Sequence, residues 1–237
     1  MGQPPFHVKR VLDDARRIGV GLTRESAAQL LEYAGILKDR GVHLGLVAEG
    51  DADRLYLRHL RDSLRAARFI ERGDRLAYDL GSGAGLPGLV LAIAVPSCSF
   101  VLIEARRRAA AFLEWAVQRL QLRNAAVAPR RAEDVDGGAD LATARAFAPL
   151  DRAWEAAAPL LRPGGRLIYF AGRGLRDPEA SASSLTRPER PASVRVDSVV
   201  ENAGPLVIMA RRHEPPETPY PARGRGVSTG GGRSAST

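Results

Sequence analysis

The chain has 237 residues, of which 45% are hydrophobic and 26% are charged. This is the composition of a globular protein of one or two domains, so a fibrous or wholly disordered chain is excluded. A formal net charge of +8 is typical of a protein that binds a phosphate-containing partner, and solvated surface charge is the alternative explanation.

The cysteine and histidine counts limit the kinds of site. A single cysteine, Cys98, excludes a disulfide framework, and with only four histidines most structural zinc sites are excluded too, so we expect no metal. The N-terminus lacks the basic and then apolar order of a signal peptide. No apolar run is long enough to span a membrane, so we expect a cytoplasmic protein.

Residues 8–70 are predicted to be helical. Thr23 is the predicted N-cap of one helix, because its hydroxyl can accept a hydrogen bond from a backbone N–H of the first turn. Apolar residues recur at helical spacing after it, at Ala27, Leu30, Leu31, Ala34 and Leu37. A second helix is predicted from about Leu55 to Phe69, and the Gly-rich stretch 41–50 separates the two.

From residue 75 onward, short apolar runs alternate with longer segments of helical pattern. The predicted strands are 75–81, 100–105, 125–130, 140–147 and 165–172, and the predicted helices are 86–95, 107–121 and 148–161. Two closing runs, 193–203 and 205–212, are predicted to pair antiparallel. This alternation predicts the α/β fold class: a Rossmann-like, mostly parallel sheet with an antiparallel C-terminal strand pair, preceded by the helical segment.

The predicted domain organisation is a single domain over 1–212, in which 8–70 is the helical part and 75–212 the cofactor-binding α/β core. A Pro- and Ser-rich segment, 174–193, is predicted to be a surface loop. Of the last 25 residues, 15 are Gly, Pro, Ser or Thr, so 213–237 is predicted to be a disordered tail.

A glycine-rich loop with the sequence DLGSGAGLPG follows the first predicted strand and runs from Asp79 to Gly88. Its glycines allow a close approach of the backbone to a ligand, and the next helix supplies unpaired N–H groups. Such a loop could hold a diphosphate, but Asp79 would repel it and instead suits a cationic amine or sulfonium. A turn without a ligand is the alternative. The candidate cofactor-binding residues here are Asp79, Gly81, Ser82, Gly83, Gly85 and Leu86.

Glu104 ends the second predicted strand, where a carboxylate can accept hydrogen bonds from two ribose hydroxyls. An exposed acid at a strand end is the alternative. The third strand is followed by Arg131-Ala132-Glu133-Asp134, where a backbone N–H and a carboxylate could recognise the edge of an adenine. Together with the loop, these features predict S-adenosylmethionine as the cofactor.

Several segments together resemble the bacterial 16S rRNA guanine-N7 methyltransferases, also called the glucose-inhibited division protein B family. They are the loop DLGSGAGLPG, the element Arg58-His59-x-x-Asp62-Ser63, the RAED stretch at 131–134, and Ala144-Arg145-Ala146-Phe147. The loop alone would indicate only a class I methyltransferase, whereas the RHxxDS and RAF elements are more specific. The resemblance covers about residues 8–212. It implies a class I methyltransferase fold, 16S rRNA or the small ribosomal subunit as partner, and cofactor contacts at Gly81, Leu86, Ala132, Glu133 and Arg145.

Two positions depart from the pattern of that family. Gly45 stands where the family has asparagine, and Ala171, before Gly172, stands where the family tends to have lysine. The cofactor half of the pattern is thus intact, and the substrate half is altered. Two alternatives to rRNA methylation follow: a small-molecule methyltransferase recruited from the family, and a non-catalytic RNA-binding relic.

Guanine N7 carries an in-plane lone pair and no proton, so its methylation needs positioning and charge control more than a general base. Arg145, at the carboxyl end of the fourth strand, is the candidate catalytic residue. It could orient the guanine or a phosphate, or hold the cofactor, and an ordinary surface arginine is the alternative. His59 and Asp62 lie on one helix face and either line the cofactor mouth or make a helix-to-sheet hydrogen bond.

Basic residues gather around the second and third strands. Arg106, Arg107 and Arg108 start the helix after strand two, and Arg123, Arg130 and Arg131 lie near its far end and beyond. They are predicted either to contact phosphate or to form a solvated face. Cys98 is predicted to be a buried structural residue, and the protein is predicted to be a monomer.

Overall fold

A seven-stranded sheet lies at the centre of the part of the chain that the structure describes. The structure, a computed structural model, describes residues 8–172, 175, 177–183, 185, 191–198 and 203–212. The strands are β1 (Leu76–Leu80), β2 (Ser99–Ile103), β3 (Ala125–Ala128), β4 (Ala139–Arg145), β5 (Leu161–Phe170), β6 (Ser193–Asp197) and β7 (Leu206–Ala210). Their order across the sheet is β3-β2-β1-β4-β5-β7-β6.

The directions of the strands confirm the predicted fold class. Neighbouring strands from β1 to β5 run parallel. β7 runs antiparallel to both β5 and β6, which is the expected C-terminal pair. Because β1 to β5 are parallel, their carboxyl ends meet at one edge of the sheet, where ligands bind in open α/β folds.

Helices precede the sheet and alternate with its strands. They are α1 (Val8–Arg17), α2 (Arg24–Ile36), α3 (Arg61–Leu64), α4 (Gly88–Ala94), α5 (Arg107–Arg119), α6 (Leu150–Ala157) and α7 (Pro178–Ser183). Helical turns of other pitch occur at Leu37–Gly41, Glu49–Arg54, Tyr56–Leu60 and Arg65–Phe69. Within the described ranges, no helix combines the length and the apolar character that crossing a membrane requires.

Apolar side chains pack on both faces of the sheet. Leu102 of β2 belongs to the cluster formed with α1, α2, α4 and α5, whereas its neighbour Ile103 belongs to the cluster around Trp154 of α6. Successive residues of a strand point to opposite faces, so both faces of β2 are covered. β4 lies between β1 and β5, and residues 139–144 are all buried, which explains its run of small and apolar residues.

The N-terminal helices pack onto the sheet domain through α2. The predicted N-cap is confirmed, because Thr23 Oγ1 accepts a hydrogen bond from the Ser26 N–H at 3.1 Å. The Ser26 hydroxyl donates to the carbonyl of Ile93 in α4 at 2.9 Å, and the Gln29 amide donates to the carbonyl of Leu120 at 3.1 Å. This packing places α2 against α4, the helix that follows the glycine-rich loop.

Most predicted boundaries differ from the structure by one or more residues, and two differences change the description of an element. β5 begins at Leu161 rather than 165, because Leu161 already pairs with Ala139 across an irregular register. The predicted loop 174–193 contains α7, which begins where Asp177 Oδ1 accepts a hydrogen bond from the Ala180 N–H at 2.8 Å. Parts of that loop, and all of the predicted tail 213–237, lie outside the described residues.

Candidate active site

The glycine-rich loop connects β1 to α4 at the carboxyl edge of the sheet. Gly81, Gly83 and Gly85 have φ values of +62°, +56° and +83°, a backbone conformation that favours glycine. The Ser82 N–H donates to the carbonyl of Ile103 at 3.0 Å, which ties the loop to the end of β2. Leu86 lies partly buried just before α4. The loop therefore takes the tight course that its sequence predicts.

Asp79 anchors the start of α4 from inside the protein. Its side chain is buried, Thr143 Oγ1 donates to its Oδ1 at 2.7 Å, and the Gly88 N–H donates to its Oδ2 at 3.1 Å. Burial raises the pKa of Asp79 to about 6, against the lowering effect of these hydrogen bonds and of the Arg145 charge. A cationic ligand nearby would stabilise the ionised carboxylate.

Glu104 lies directly across from the loop. It is buried, and its Oε2 accepts the Gly83 N–H at 2.8 Å. Its Oε1 accepts the backbone N–H of Arg106 at 2.9 Å and the Nε of the same arginine at 3.0 Å. Burial acts to raise the pKa of Glu104, but these hydrogen bonds outweigh it and lower the pKa below the ordinary value. The alternative of an exposed acid is wrong.

The loop is also held from the N-terminal helices, by a residue that the sequence did not single out. The Tyr33 hydroxyl of α2 is buried and donates to the carbonyl of Ala84, in the middle of the loop. Tyr33 lies three residues after Leu30 on the apolar face of α2, so its position in the sequence indicates only a core residue. The helical spacing of Tyr33 does not predict the hydrogen bond of its hydroxyl to Ala84.

The turn after β3 lies next to the end of β2. The Glu104 N–H donates to the carbonyl of Ala128, the last residue of β3, at 3.1 Å. A single helical turn, Ala132–Asp134, follows, in which Ala132 is buried and Glu133 is exposed. Both residues thus lie at the same edge of the sheet as the loop.

Arg145, at the end of β4, joins the two specific motifs of the sequence. Its Nη1 donates to Ser63 Oγ at 3.1 Å and to the carbonyl of His59 at 3.3 Å. Its Nη2 donates to His59 Nδ1 at 2.7 Å, and Asp62 Oδ2 lies 3.7 Å from Nη1. The side chain is only 18% exposed, so the alternative of a surface arginine is wrong. For His59, the helix-to-sheet hydrogen bond is the role that the geometry shows.

Phe147 lies beside this arginine on the outside of the loop. Ala146 has a φ of +51°, an uncommon conformation for a residue with a side chain. A Cβ atom on Gly81 would lie 2.6 Å from Phe147 Cδ2, so the ring covers Gly81. Phe147 is 36% exposed, the one large hydrophobic side chain of the described residues with this much exposure.

The basic residues around β2 and β3 are all exposed, and one of them has an acidic partner. They are Arg106, which pairs with Glu104, and Arg107, Arg108, Arg123, Arg130 and Arg131. Cys98 is buried beside β2, as predicted, and burial raises the pKa of its thiol to about 11, which disfavours the reactive thiolate. Of the two departures from the family pattern, Gly45 has a φ of +67° in an N-terminal turn, and Ala171 is buried and donates its N–H to the carbonyl of Pro205 at 3.0 Å.

Comparison with known proteins decides the family. The family model of rRNA small subunit methyltransferase G (GidB) matches residues 26–202. The chain belongs to this family. It is 43% identical over 171 residues to the ribosomal RNA small subunit methyltransferase G of Acidiphilium cryptum, covering 71% of this chain and 78% of that protein. It is 39% identical over 213 residues to the protein of the same name from Salinispora arenicola, covering 85% of this chain and 87% of that one.

Family membership confirms the resemblance, the enzyme class and the cofactor that the sequence predicted. The family is one of S-adenosylmethionine-dependent rRNA methyltransferases. The fold is shared more widely: a crystal structure of TYW2 from M. jannaschii, in complex with AdoMet, superposes with a TM-score of 0.51 at 16% identity. That alignment covers 64% of this chain and 74% of that one, and it concerns the fold alone.

Proposed function

We propose that this protein transfers the methyl group of S-adenosylmethionine to N7 of a guanine in 16S ribosomal RNA. One observation carries the proposal: the loop with Glu104 and the cluster around Arg145 lie side by side at the carboxyl edge of one sheet. The relatives named above are ribosomal RNA small subunit methyltransferases G, which supports the substrate class. The choice of N7 rests on the resemblance and on chemistry that needs no general base.

The residues at the loop fit S-adenosylmethionine. A Cβ on Gly83 would meet nothing closer than 3.6 Å, where Arg106 Nη2 lies, so the backbone is approachable on that side. The Glu104 carboxylate lies within 2.8 Å of the same N–H and carries an arginine partner that is 69% exposed. An exposed side chain can move aside, which leaves carboxylate oxygens for the two hydroxyls of a ribose.

Each predicted cofactor residue has a role in this arrangement. The loop residues Gly81, Ser82, Gly83, Gly85 and Leu86 would form the floor of the cofactor site, with the ring of Phe147 over Gly81 and the approachable backbone at Gly83, and Glu104 would accept the ribose hydroxyls. Ala132 and Glu133 would border the adenine. Asp79 would favour the positive charge of the amine or the sulfonium through its ionised carboxylate. When bound, the cofactor supplies an electrophilic methyl group.

Arg145 and Phe147 would act on the acceptor base. Guanine N7 attacks with its own lone pair, so these residues need only orient the base and exclude water. Phe147 is 36% exposed and lies next to the loop, where a base would stack on its ring, and base-on-aromatic stacking contributes about 1–3 kcal/mol. Arg145 would present its remaining donor capacity to the base, a phosphate or the cofactor carboxylate.

The exposed arginines would contact the RNA backbone. Arg107, Arg108, Arg123, Arg130 and Arg131 add positive charge to the part of the molecule that holds the predicted adenine turn and α5. Phosphate contacts position a nucleic acid without reading its sequence. A cytoplasmic location, a monomeric state and a single domain over 1–212 complete the proposal.

The experiment is to incubate the protein with tritium-labelled S-adenosylmethionine and three acceptors: small ribosomal subunits, free 16S rRNA and a small-molecule extract. Glu104→Ala, which removes the proposed ribose contact, serves as the matched inactive variant. Label in RNA that depends on Glu104 supports the proposal. Label in the small-molecule fraction would favour the recruited enzyme, and cofactor binding without transfer to any acceptor would favour the relic.

A further inference from the structure

Arg145 is the last member of a chain of three side chains that come from separate segments. Asp51, in the helical turn Glu49–Arg54, lies with its Oδ2 3.0 Å from His59 Nε2. His59, in the turn Tyr56–Leu60, lies with its Nδ1 2.7 Å from Arg145 Nη2. Asp51 is buried, and the His59 side chain is only 16% exposed. Nothing in the sequence motifs drew attention to Asp51.

The chemistry of the three groups fixes the protons between them. A guanidinium has donors only, so His59 Nδ1 must present its lone pair to Arg145. In a neutral imidazole the other nitrogen then carries the proton, and Nε2–H faces the carboxylate of Asp51, which can only accept. The contacts therefore require neutral His59 with the proton on Nε2. A doubly protonated ring would offer Arg145 a donor and a like charge.

We propose that Asp51 is a positioning residue, which through the ring of His59 holds Nη2 of the Arg145 guanidinium at the candidate active site, and that protonation of His59 breaks the hydrogen bond to Nη2. The inference deepens the proposed function and rests on it only for the consequence in catalysis. Ser63 Oγ and the carbonyl of His59 hold Nη1, so Nη2 is the nitrogen that depends on the chain.

The charges around His59 set the pH at which this would occur. Asp51 and Arg58 face it from the N-terminal segment and Arg145 from β4. Asp62, Arg65 and Asp79 add their charges around Arg145. Burial, followed by the positive charges of Arg145 and Arg58, lowers the pKa of His59, and Asp51 acts in the opposite direction.

The sign of the pH dependence follows from that direction. The folded protein holds the second proton of His59 less tightly than the unfolded protein does. The contacts of neutral His59 therefore contribute fully to the free energy of unfolding at pH values above the ordinary histidine pKa. That contribution is lost as the pH falls through the pKa of the folded state.

The direct test is a two-dimensional 1H–15N NMR spectrum of the histidine side chains in the protein without cofactor or RNA. The chain has four histidines, and His59→Asn assigns the signal. We expect the pattern of an Nε2–H tautomer, with a titration midpoint below that of a free histidine. Asp51→Ala should weaken the preference for this tautomer. An Nδ1–H tautomer, or an ordinary midpoint, would overturn the proposal.

Rate measurements supply the second readout. In His59→Asn, the side-chain oxygen of the new amide can take the place of Nδ1 as an acceptor for Arg145 and does not titrate, whereas His59→Ala supplies no acceptor. We expect kcat near neutral pH to fall by about tenfold in His59→Ala and Asp51→Ala, and to be largely retained in His59→Asn. Arg58→Gln, which removes the other ion pair of Asp51, is the matched control and should retain the tautomer. Equal losses in His59→Ala and His59→Asn would contradict the acceptor role.

Asp79 also titrates near pH 6, so the midpoint of the His59 ring itself, and not the rate alone, decides the pH claim. The two proposals fail separately. If the ring has the Nε2–H tautomer but RNA is not methylated, the proposed function is wrong and the chain of contacts stands. If RNA is methylated but His59 carries its proton on Nδ1, the proposed function stands and the proposed role of Asp51 is wrong.

Discussion

Replacement of Glu104 by glutamine tests the cofactor site with the smallest change of shape. In the structure the carboxylate accepts the Gly83 N–H at 2.8 Å and the Arg106 N–H at 2.9 Å through different oxygens. A glutamine has one acceptor oxygen, so its NH2 group must face one of these two donors. The variant therefore loses a backbone hydrogen bond as well as the negative charge.

The size of the effect follows from the hydrogen bonds to the ribose. Hydrogen bonds to a charged group contribute about 1.5–3 kcal/mol, so Glu104→Gln should weaken S-adenosylmethionine binding by roughly 10- to 100-fold. Arg106 competes for the same carboxylate, but its side chain is 69% exposed, so the pair contributes only about 0.2–1 kcal/mol. Arg106→Gln should then tighten binding by at most about fivefold.

Isothermal titration calorimetry with S-adenosylmethionine measures both effects. Glu114→Gln is the matched control, because Glu114 is exposed on α5 and its loss changes the net charge equally. Circular dichroism should show that all three variants are folded. A folded Glu104→Gln variant with wild-type affinity would refute the assignment of Glu104 to the ribose.

Three further predictions concern the loop and the RNA. Tyr33→Phe leaves the Ala84 carbonyl without its buried donor, so the free energy of unfolding should fall by about 1–3 kcal/mol and cofactor affinity should fall with it; chemical denaturation and calorimetry measure the two, and an unchanged pair of values would count against the contact. Burial raises the pKa of Asp79 from 3.8 to about 6, so the folded state binds this proton more tightly than the unfolded state does. The free energy of unfolding should therefore fall by about 3 kcal/mol as the pH rises through about 6. Asp79→Asn should lack this fall, which denaturation curves recorded below pH 3.8 and above pH 6 would measure. Replacing Arg107 and Arg108 by glutamine should lower the slope of log affinity for RNA against log salt by about one unit per lost contact. An unchanged slope would show that the two arginines form a solvated face and do not contact phosphate.

The sequence predicts those features whose signal is local. The glycine-rich loop and Glu104 lie at the ends of adjacent strands, so strand and turn patterns alone place them at one edge. The position of Arg145 follows in the same way. Its partners in the N-terminal segment do not follow from the sequence, because His59 is 86 residues away in the chain and a helix-to-sheet hydrogen bond is only one of the two roles that its position allows.

Contacts that depend on packing between distant segments were not predicted. Tyr33 and Ala84 are 51 residues apart, and helical spacing shows Tyr33 only as a core residue. Asp51 follows the Gly-rich stretch, where no periodic pattern assigns it a direction. The ion pair of Arg106 with Glu104 was not predicted either. A run of arginines indicates a charged surface but does not show which arginine pairs with a nearby carboxylate.

The central claim is that this protein methylates guanine N7 in 16S rRNA. Its most direct test is mass spectrometry of nucleosides from 16S rRNA that lacked the modification and was then incubated, as small subunits, with the protein and S-adenosylmethionine. We expect 7-methylguanosine as the product, and at least tenfold less of it with Arg145→Lys, since about 1.4 kcal/mol of lost transition-state stabilisation gives that factor. A methyl group on another atom or another base, or no methylation by a protein that binds the cofactor, would contradict the claim.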